Sequence, residues 1–328
     1  MTIIKFEPIY KERPWGGTVL EKRFNRKIHL ESDKIGESWE IVDRPEAQSI
    51  ILNTLNKGMS LRRLIVEQCT SIMGPKWKKE SRFPVLIKWL DCSERLSLQV
   101  HPPLYVADKY GGEPKTENWY VAGASENAGL FIGLKNDTDK NLFKAALASN
   151  KAESLCHRID SAVGDSILVD SGRIHAIDGG NLILEIQQNS DTTYRVYDWG
   201  RLGVDNEPRQ LHIEESLRCI DFNDIEPKLL KTQKAVGQSI IAKCDLFKIR
   251  KFNSTAGKKV FIKKSSVDCS IIHLISGSIS VGEELIGVGE QAMSPFFSDC
   301  TIDILKDSTF LITDEFINHQ SLTKIVSN

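Results

Sequence analysis

Residues 96–101, which read Leu-Ser-Leu-Gln-Val-His, constrain this chain more than any other stretch. Their alternation is that of an extended strand, with Ser97, Gln99 and His101 on one side and Leu96, Leu98 and Val100 on the other. A strand with a buried leucine and valine face normally turns its polar face to water. If that face looks instead into a barrel, Gln99 and His101 stand side by side in a pocket, about 7 Å apart along the strand. Pro102 and Pro103 then end the strand, because neither carries a backbone donor. The other residues of chemical character can be read as delivered to this strand.

What the chain can deliver is bounded by its size and charge. Its 328 residues are enough for two or three modest domains. With 43 Lys and Arg against 44 Asp and Glu, the formal charge is -1, which argues against a nucleic-acid or membrane-surface partner. No apolar run approaches the roughly 20 residues needed to span a bilayer. The opening Met-Thr-Ile-Ile-Lys-Phe-Glu-Pro lacks the apolar core of a signal peptide. Seven cysteines, none in a Cys-x-x-Cys pair, read as buried thiols in a reducing compartment, so a cytoplasmic protein is expected.

Residues 1–57 read as strands and turns, with a tight bend at Arg13-Pro14-Trp15-Gly16-Gly17 and a strand over residues 36–42 that puts Glu37, Trp39 and Ile41 on one face. Ser60 is a candidate N-cap for a helix carrying Leu61, Leu64 and Ile65, ended by Gly74 and Pro75. Residues 83–90 are apolar except for Lys88, which suggests a strand buried on both faces with one charge inside. Residues 110–114 read as a loop, and residues 115–121 as a strand with Lys115, Glu117 and Trp119 together. Residues 136–159 have helical character, with Thr138 or Asp139 as the cap. Further on, Ile183, Glu185 and Gln187 share one strand face, and Thr193, Arg195 and Tyr197 another. A short helix is expected over residues 213–220. Composition shifts near residue 225. Beyond residue 240 short strands and glycine turns repeat, which suggests a sandwich or jelly roll with few residues of catalytic type.

The polar residues on inward strand faces are then Gln99, His101, Glu117, His175 and Glu185. Two histidines and a carboxylate suffice for a zinc, iron or manganese site. Taken singly each has a plainer reading: His101 could cap a turn, His175 could lie exposed in one, and Glu117 could pair with Lys115. Lys88 and Arg195 need either an internal carboxylate or an anionic ligand, since a buried charge requires a partner. Arg binds phosphate or carboxylate through its planar fork. Trp15, Trp39 and Trp119 serve a core in the ordinary reading, or an apolar wall on which a sugar ring packs. No phosphate-cradling glycine loop and no nucleophile elbow is present.

Several of these runs, taken together, resemble the class I zinc-dependent mannose-6-phosphate isomerases of the short bacterial type. The runs are Phe-Pro-Val-Leu-Ile-Lys-Trp-Leu-Asp at 83–91, Leu-Ser-Leu-Gln-Val-His-Pro at 96–102, Lys-Thr-Glu-Asn-Trp-Tyr at 115–120, and the segment from 172 to 201 with its Ile-His-Ala-Ile, Leu-Glu-Ile-Gln-Gln and Thr-Thr-Tyr-Arg-Val-Tyr-Asp-Trp-Gly-Arg. Arg13-Pro14-Trp15-Gly16-Gly17 and Gly36-Glu37-Ser38-Trp39 also fit, and the likeness covers roughly residues 8–222. The resemblance implies a mainly β protein of the cupin superfamily: a catalytic cupin or jelly-roll domain with helical insertions over residues 1–230, and a smaller C-terminal β-sandwich domain over residues 231–328. It implies one zinc per chain, held by Gln99, His101, Glu117 and His175. Arg195 falls on the family's active-site arginine, and Lys88 and Ser97 on pocket positions. Arg195, Lys88 and Glu185 are thus the candidate catalytic residues, and Ser97, Lys88, Arg195 and Trp15 the candidate substrate contacts. The implied reaction interconverts mannose 6-phosphate and fructose 6-phosphate by zinc-assisted aldose–ketose isomerisation through an enediol, so the expected partner is a phosphosugar. The alternatives are a non-catalytic sugar-phosphate sensor and an iron or manganese cupin oxygenase. Two departures touch the pocket rim. His101-Pro102-Pro103-Leu104 stands where the family commonly has His-Pro-Asp-Asp, and Asp170-Ser171-Gly172 where it commonly has Pro-Ala-Gly.

Overall fold

The alternation around Gln99 builds the strand Leu98–Val100 in the computed structural model of the chain, which describes residues 3–28, 33–232, 235–262 and 268–316. The strand is shorter than its sequence pattern. Leu98 and Val100 pack into one apolar cluster, whereas Leu96 lies before the strand and packs with Trp15 and Trp119 in another. The chain divides into two units, one of Met1–Ile9, Trp39–Ile87 and Thr232–Asn328, the other of Tyr10–Ser38 and Lys88–Lys231.

In the second unit, Leu98–Val100 belongs to a five-stranded sheet ordered Cys156–Asp160, Gly129–Leu134, His175–Ile177, Leu98–Val100, Tyr194–Tyr197. A six-stranded sheet is ordered Ser166–Val169, Glu117–Ala124, Asn181–Gln188, Val85–Cys92, Ile35–Ile41, Ile9–Gly17. The two sheets share a core: Trp119, Val121, Ile183 and Leu90 from one sheet meet Leu130, Ile132 and Ile177 from the other in a single buried cluster. This is the sandwich of two inner faces expected of a mainly β cupin fold. On its outer face the five-stranded sheet is covered by helices. Leu98, Val100, Phe131 and Val196 pack there against Val106, Phe143 and Leu217, from the helices Leu104–Tyr110, Lys140–Ala148 and Ile213–Cys219. Every residue of Val85–Cys92 is buried as expected, but the strand runs on past Leu90 and so carries two charged side chains, Lys88 and Asp91.

Four local readings change. Residues 13–17 are not a bend but the end of the strand Ile9–Gly17. Gly16 is there because a Cβ at that position would stand 2.4 Å from the backbone nitrogen of Gly36. Residues 136–159 start as a helix, with Asp139 Oδ1 accepting from the Leu142 amide at 2.7 Å, but Asn150 at φ 57° follows its end. A 3₁₀ turn at Ala152–Leu155 and the strand Cys156–Asp160 take over from there. The helix Leu104–Tyr110 escaped the sequence reading because prolines precede it and its apolar stripe is only Val106 and Ala107. Finally, the pairing of Tyr194–Tyr197 with Leu98–Val100 shifts register between Arg195 and Tyr197. That bulge sends Tyr197 outward, to within 5.0 Å of Trp199, and leaves Thr193 and Arg195 without it.

The first unit carries an eight-stranded sheet whose central strands, Ser270–Val281 and Cys300–Asp314, are far longer than the repeated glycine turns suggest. Their pairing shifts register around Ser276 and Ser278, and such bulges bend strands, so one cluster gathers Ile272, Leu274, Ile279, Ile302 and Phe310 along their length. Ile4–Lys5 pairs with Gln291–Ser294 at the edge of this sheet. The helix Leu61–Met73 starts as expected, its Arg63 amide donating to Ser60 Oγ at 3.3 Å.

Candidate functional site

The inner faces of the sandwich are not wholly apolar. His101 follows Leu98–Val100 directly, and His175 begins the neighbouring strand, where it pairs with Gln99. Gln99 pairs on its other side with Arg195. Opposite them, the six-stranded sheet presents Glu117 at the start of one strand, Glu185 within the next and Lys88 within the third. Alternation thus delivers all of these residues, but from two sheets, which is why their sequence spacing looks irregular.

His101, Glu117 and His175 are each 1% exposed, and one ligand atom from each lies within 4.8 Å of the others. Glu117 Oε2 is 3.4 Å from His101 Nε2, and its Oε1 is 3.8 Å from His175 Nε2. The far nitrogens of the rings are taken: His101 Nδ1 donates to the Thr192 carbonyl at 3.0 Å and His175 Nδ1 to the Arg173 carbonyl at 2.8 Å. A carbonyl only accepts, so each Nδ1 carries the proton and each Nε2 turns a lone pair toward Glu117. Both Nε2 atoms are buried without a hydrogen-bond partner. Such orphans are rare in a folded interior, and two converging on one carboxylate form a ligand set that fits a cation. Burial, reinforced at His101 by the charge of Lys115, lowers the histidine pKa values to about 3 for His101 and about 4 for His175. Both rings are therefore neutral at physiological pH, the state in which imidazole binds metal.

Around this group lies a compact set of charges. Lys115 Nζ stands 2.8 Å from Glu117 Oε2 and 3.9 Å from Glu185 Oε1, and Lys88 Nζ is 3.5 Å from Glu185 Oε1. Burial would raise the Glu117 pKa, but Lys115 and the two histidines hold it well below the usual carboxylate range. Glu185 goes the other way: burial first, then the charge of Glu117, pushes its pKa up. Burial opposes the charge on Lys115, yet Glu117 and Glu185 raise its pKa. Glu185 Oε2 also accepts from Trp119 Nε1 at 3.1 Å, which explains the position of that tryptophan at the site's floor.

A cleft of about 420 Å³ opens beside this group and is bordered by Trp15, Lys88, Ser97, Gln99, Glu185 and Arg195. The candidate metal, catalytic and substrate residues Gln99, His101, Glu117, His175, Lys88, Glu185, Arg195, Ser97 and Trp15 are therefore in the metal-like group or on the cleft beside it. Arg195 donates through Nη1 to the Gln210 carbonyl at 2.7 Å, and its buried Nε has no hydrogen-bond partner. Burial, and then the nearby charge of Arg209, lowers its pKa. Trp39 lies elsewhere, in a cluster with Val42 and Leu86. Sequence reasoning gave no part in the site to two groups. One is Lys115, read only as a possible ion-pair partner of Glu117, a pairing that the structure shows at 2.8 Å inside the site. The other is Arg13, whose guanidinium forks onto Glu37 at 2.8 and 2.9 Å on the cleft wall. Its signal was a charged residue next to Trp15 in the same short run.

Comparison with known proteins agrees with this geometry. The family described as phosphomannose isomerase type I, catalytic domain, matches residues 3–143. Mannose-6-phosphate isomerase ManA of Bacillus subtilis (strain 168) is 31% identical over 316 residues, which are 92% of this chain and 98% of that one. The crystal structure of the mannose 6-phosphate isomerase from Bacillus subtilis matches with a TM-score of 0.81 at 30% identity, over 96% of this chain and 100% of that one. A mannose 6-phosphate isomerase solved bound with zinc and yttrium shares the fold, with a TM-score of 0.72 at 16% identity over 95% and 99% of the two chains.

Proposed function

This chain belongs to the phosphomannose isomerase type I family, and on that premise we propose that it interconverts mannose 6-phosphate and fructose 6-phosphate at the cleft beside His101, Glu117 and His175. One observation carries the reading: two buried, neutral histidines turn unpartnered Nε2 atoms toward one carboxylate, next to a cleft that holds lysine and arginine.

His101, Glu117 and His175, with the Gln99 amide oxygen, would hold one zinc ion. Zinc bound there supplies Lewis acidity, which lowers the cost of negative charge on a sugar oxygen. The rest of the work falls to the chain. Isomerisation moves one proton from C2 of the open aldose to C1 and another from the C2 hydroxyl to the C1 oxygen, through an enediol. The group that carries the first must accept and release a proton near neutral pH. Glu185 suits this, since burial and the Glu117 charge raise its pKa and it faces Lys88 at 3.5 Å. Lys88 stands against that carboxylate as its ion-pair partner, and Lys115 keeps Glu117 ionised as a ligand. Arg195, with an N–H to spare, binds the phosphate or the developing oxyanion. Trp15 offers an apolar wall to the sugar ring and Ser97 a hydroxyl at the same border.

None of the seven cysteines is in a disulfide and five are buried, which suits the reducing cytoplasm where we place the protein. Among the described residues no helix is long and apolar enough to cross a membrane. The test is zinc content paired with a coupled assay for fructose 6-phosphate formed from mannose 6-phosphate. Near one zinc per chain, with turnover abolished by a chelator and restored by zinc, is the expected result. Zinc-loaded, folded protein without turnover on this substrate would overturn the reading.

A further inference from the structure

The two histidines of the metal group are oriented alike, each by one backbone carbonyl, but the carbonyls are held differently. On the His101 side the carbonyl belongs to Thr192, which is itself held by bonds between neutral groups, the Glu113 amide to Thr192 Oγ1 at 3.0 Å and the Thr192 amide to Ser190 Oγ at 3.3 Å, while the neighbouring Asp191 amide donates to Glu113 Oε2 at 3.4 Å and the Asp191 carboxylate stands 3.8 Å from Lys88 Nζ. On the His175 side the carbonyl belongs to Arg173, in the turn that joins Ser166–Val169 to His175–Ile177. The Arg173 guanidinium closes a fork on Asp224, Nε to Oδ2 at 2.7 Å and Nη2 to Oδ1 at 2.9 Å. Its remaining nitrogen, Nη1, donates to the Leu168 carbonyl at 2.5 Å. Asp170 adds only a 3.9 Å contact from an exposed position.

The far end of the fork is itself anchored. The Asp224 carbonyl accepts from the Leu134 amide at 3.0 Å, and the Gly133 amide donates to the Ile174 carbonyl at 2.8 Å. Asp224 and the backbone next to His175 are thus both fastened to the strand Gly129–Leu134, which also pairs with His175–Ile177. The turn is also held by its backbone, the Gly172 amide donating to the His101 carbonyl at 2.9 Å and the Asp221 amide to the Gly172 carbonyl at 2.8 Å, and the fork adds a charged bond at Arg173 itself, where Asp170-Ser171-Gly172 offers no proline to stiffen the chain. Both side chains of the pair are mostly buried, 16% and 15% exposed, so a two-point charged bond here is stiff and weakly screened.

We infer that the Arg173–Asp224 pair is a positioning device for the metal site: it fixes the carbonyl that orients the His175 ring, and so sets the affinity for the ion. The inference rests on the zinc reading above. Neither side chain is a ligand, and neither borders the cleft; each acts through the His175 ring. Partners that orient a metal-bound histidine typically contribute 10–100-fold in metal affinity.

The experiment is zinc affinity of the metal-free full chain, by competition with a chromophoric chelator, for wild type, Asp224→Asn and Arg173→Lys. Thermal unfolding of the same metal-free samples is recorded alongside. Asp224→Asn is expected to raise the zinc dissociation constant about tenfold or more. Arg173→Lys keeps the charge, loses the fork and is expected to fall between. A lower melting temperature with unchanged zinc affinity would make the pair a stabilising ion pair only and overturn the inference. Should Asp224→Asn not fold, Arg173→Lys carries the same decision. Wild type that binds no zinc would instead overturn the zinc reading itself, a result distinct from equal binding by wild type and variant.

Discussion

The sandwich unit and the eight-stranded sheet unit each bury histidine, and the difference between them separates a site from a core. His101 and His175 are 1% exposed and His273 is 0% exposed, and burial lowers all three pKa values, to about 3, about 4 and about 4. By burial and pKa alone they are indistinguishable. Their nitrogens tell them apart. His273 Nε2 bonds Thr313 Oγ1 at 2.8 Å and its Nδ1 bonds the Gln291 side chain, so the ring is spent on its own sheet. His101 and His175 spend one nitrogen each and leave the other facing Glu117. A depressed histidine pKa reports desolvation; a depressed pKa with an unsatisfied nitrogen reports a place for something else.

The most direct way to break this comparison is to remove one nitrogen from the first group. His175→Ala is expected to lose zinc and turnover together, by at least about 10³-fold in kcat/KM, the scale of the several kcal/mol a bound cation supplies. Elemental analysis and the coupled assay check it, and full zinc occupancy in the variant would remove His175 from the metal group. Arg195→Ala sharpens the contrast within the cleft. It should keep its zinc and its fold yet lose about 10²–10³-fold in turnover, the usual effect of deleting a donor aimed at developing charge. Near-normal kcat and KM would take Arg195 out of the reaction.

How much of this was legible beforehand follows from where each residue sits. Period-two alternation placed Ser97, Gln99, Glu117 and Glu185 on inner faces because those strands are regular there, residue type singled out Lys88, Arg195 and Trp15, and the motif resemblance attached site roles to them. Alternation misled where regularity failed. The bulge after Arg195 turns Tyr197 to the outer face, and the chain before Leu98 sends Leu96 inward. Lys115 was on the right face but has no type that distinguishes a salt-bridge partner from a group tuning a ligand; only its 2.8 Å contact with Glu117 decides. The Arg173–Asp224 fork joins residues 51 positions apart through a turn and a loop, neither of which has a period to read. The long central strands of the other unit were hidden for a related reason. Gly277 at φ 93° and the register shifts around it look like turns in sequence, yet the backbone carries the strand through them.

The smallest expected effect lies on the structural side of the comparison, and it is the one that tests whether His273 is only structural. His273→Gln cannot titrate. At pH 8 it should be less stable than wild type by about 1–3 kcal/mol, the cost of disturbing a buried hydrogen-bonded group. The wild-type advantage should then shrink on acidification. The His273 pKa is about 4 in the folded chain, against about 6.5 when unfolded. Between those values the unfolded state binds the extra proton, so stability is fully present above the unfolded value and is lost as pH falls toward the folded one. At pH 5 this amounts to about 2 kcal/mol, enough to close most of the gap between wild type and variant. Chemical denaturation at pH 8, 6 and 5 measures it as a difference between two proteins, in which the contributions of His101 and His175 cancel. Zinc content and turnover of His273→Gln at pH 8 should match wild type. If the gap stays constant with pH, His273 is not held neutral by its sheet. If zinc is lost, the distinction between the satisfied and the unsatisfied histidine does not separate core from site.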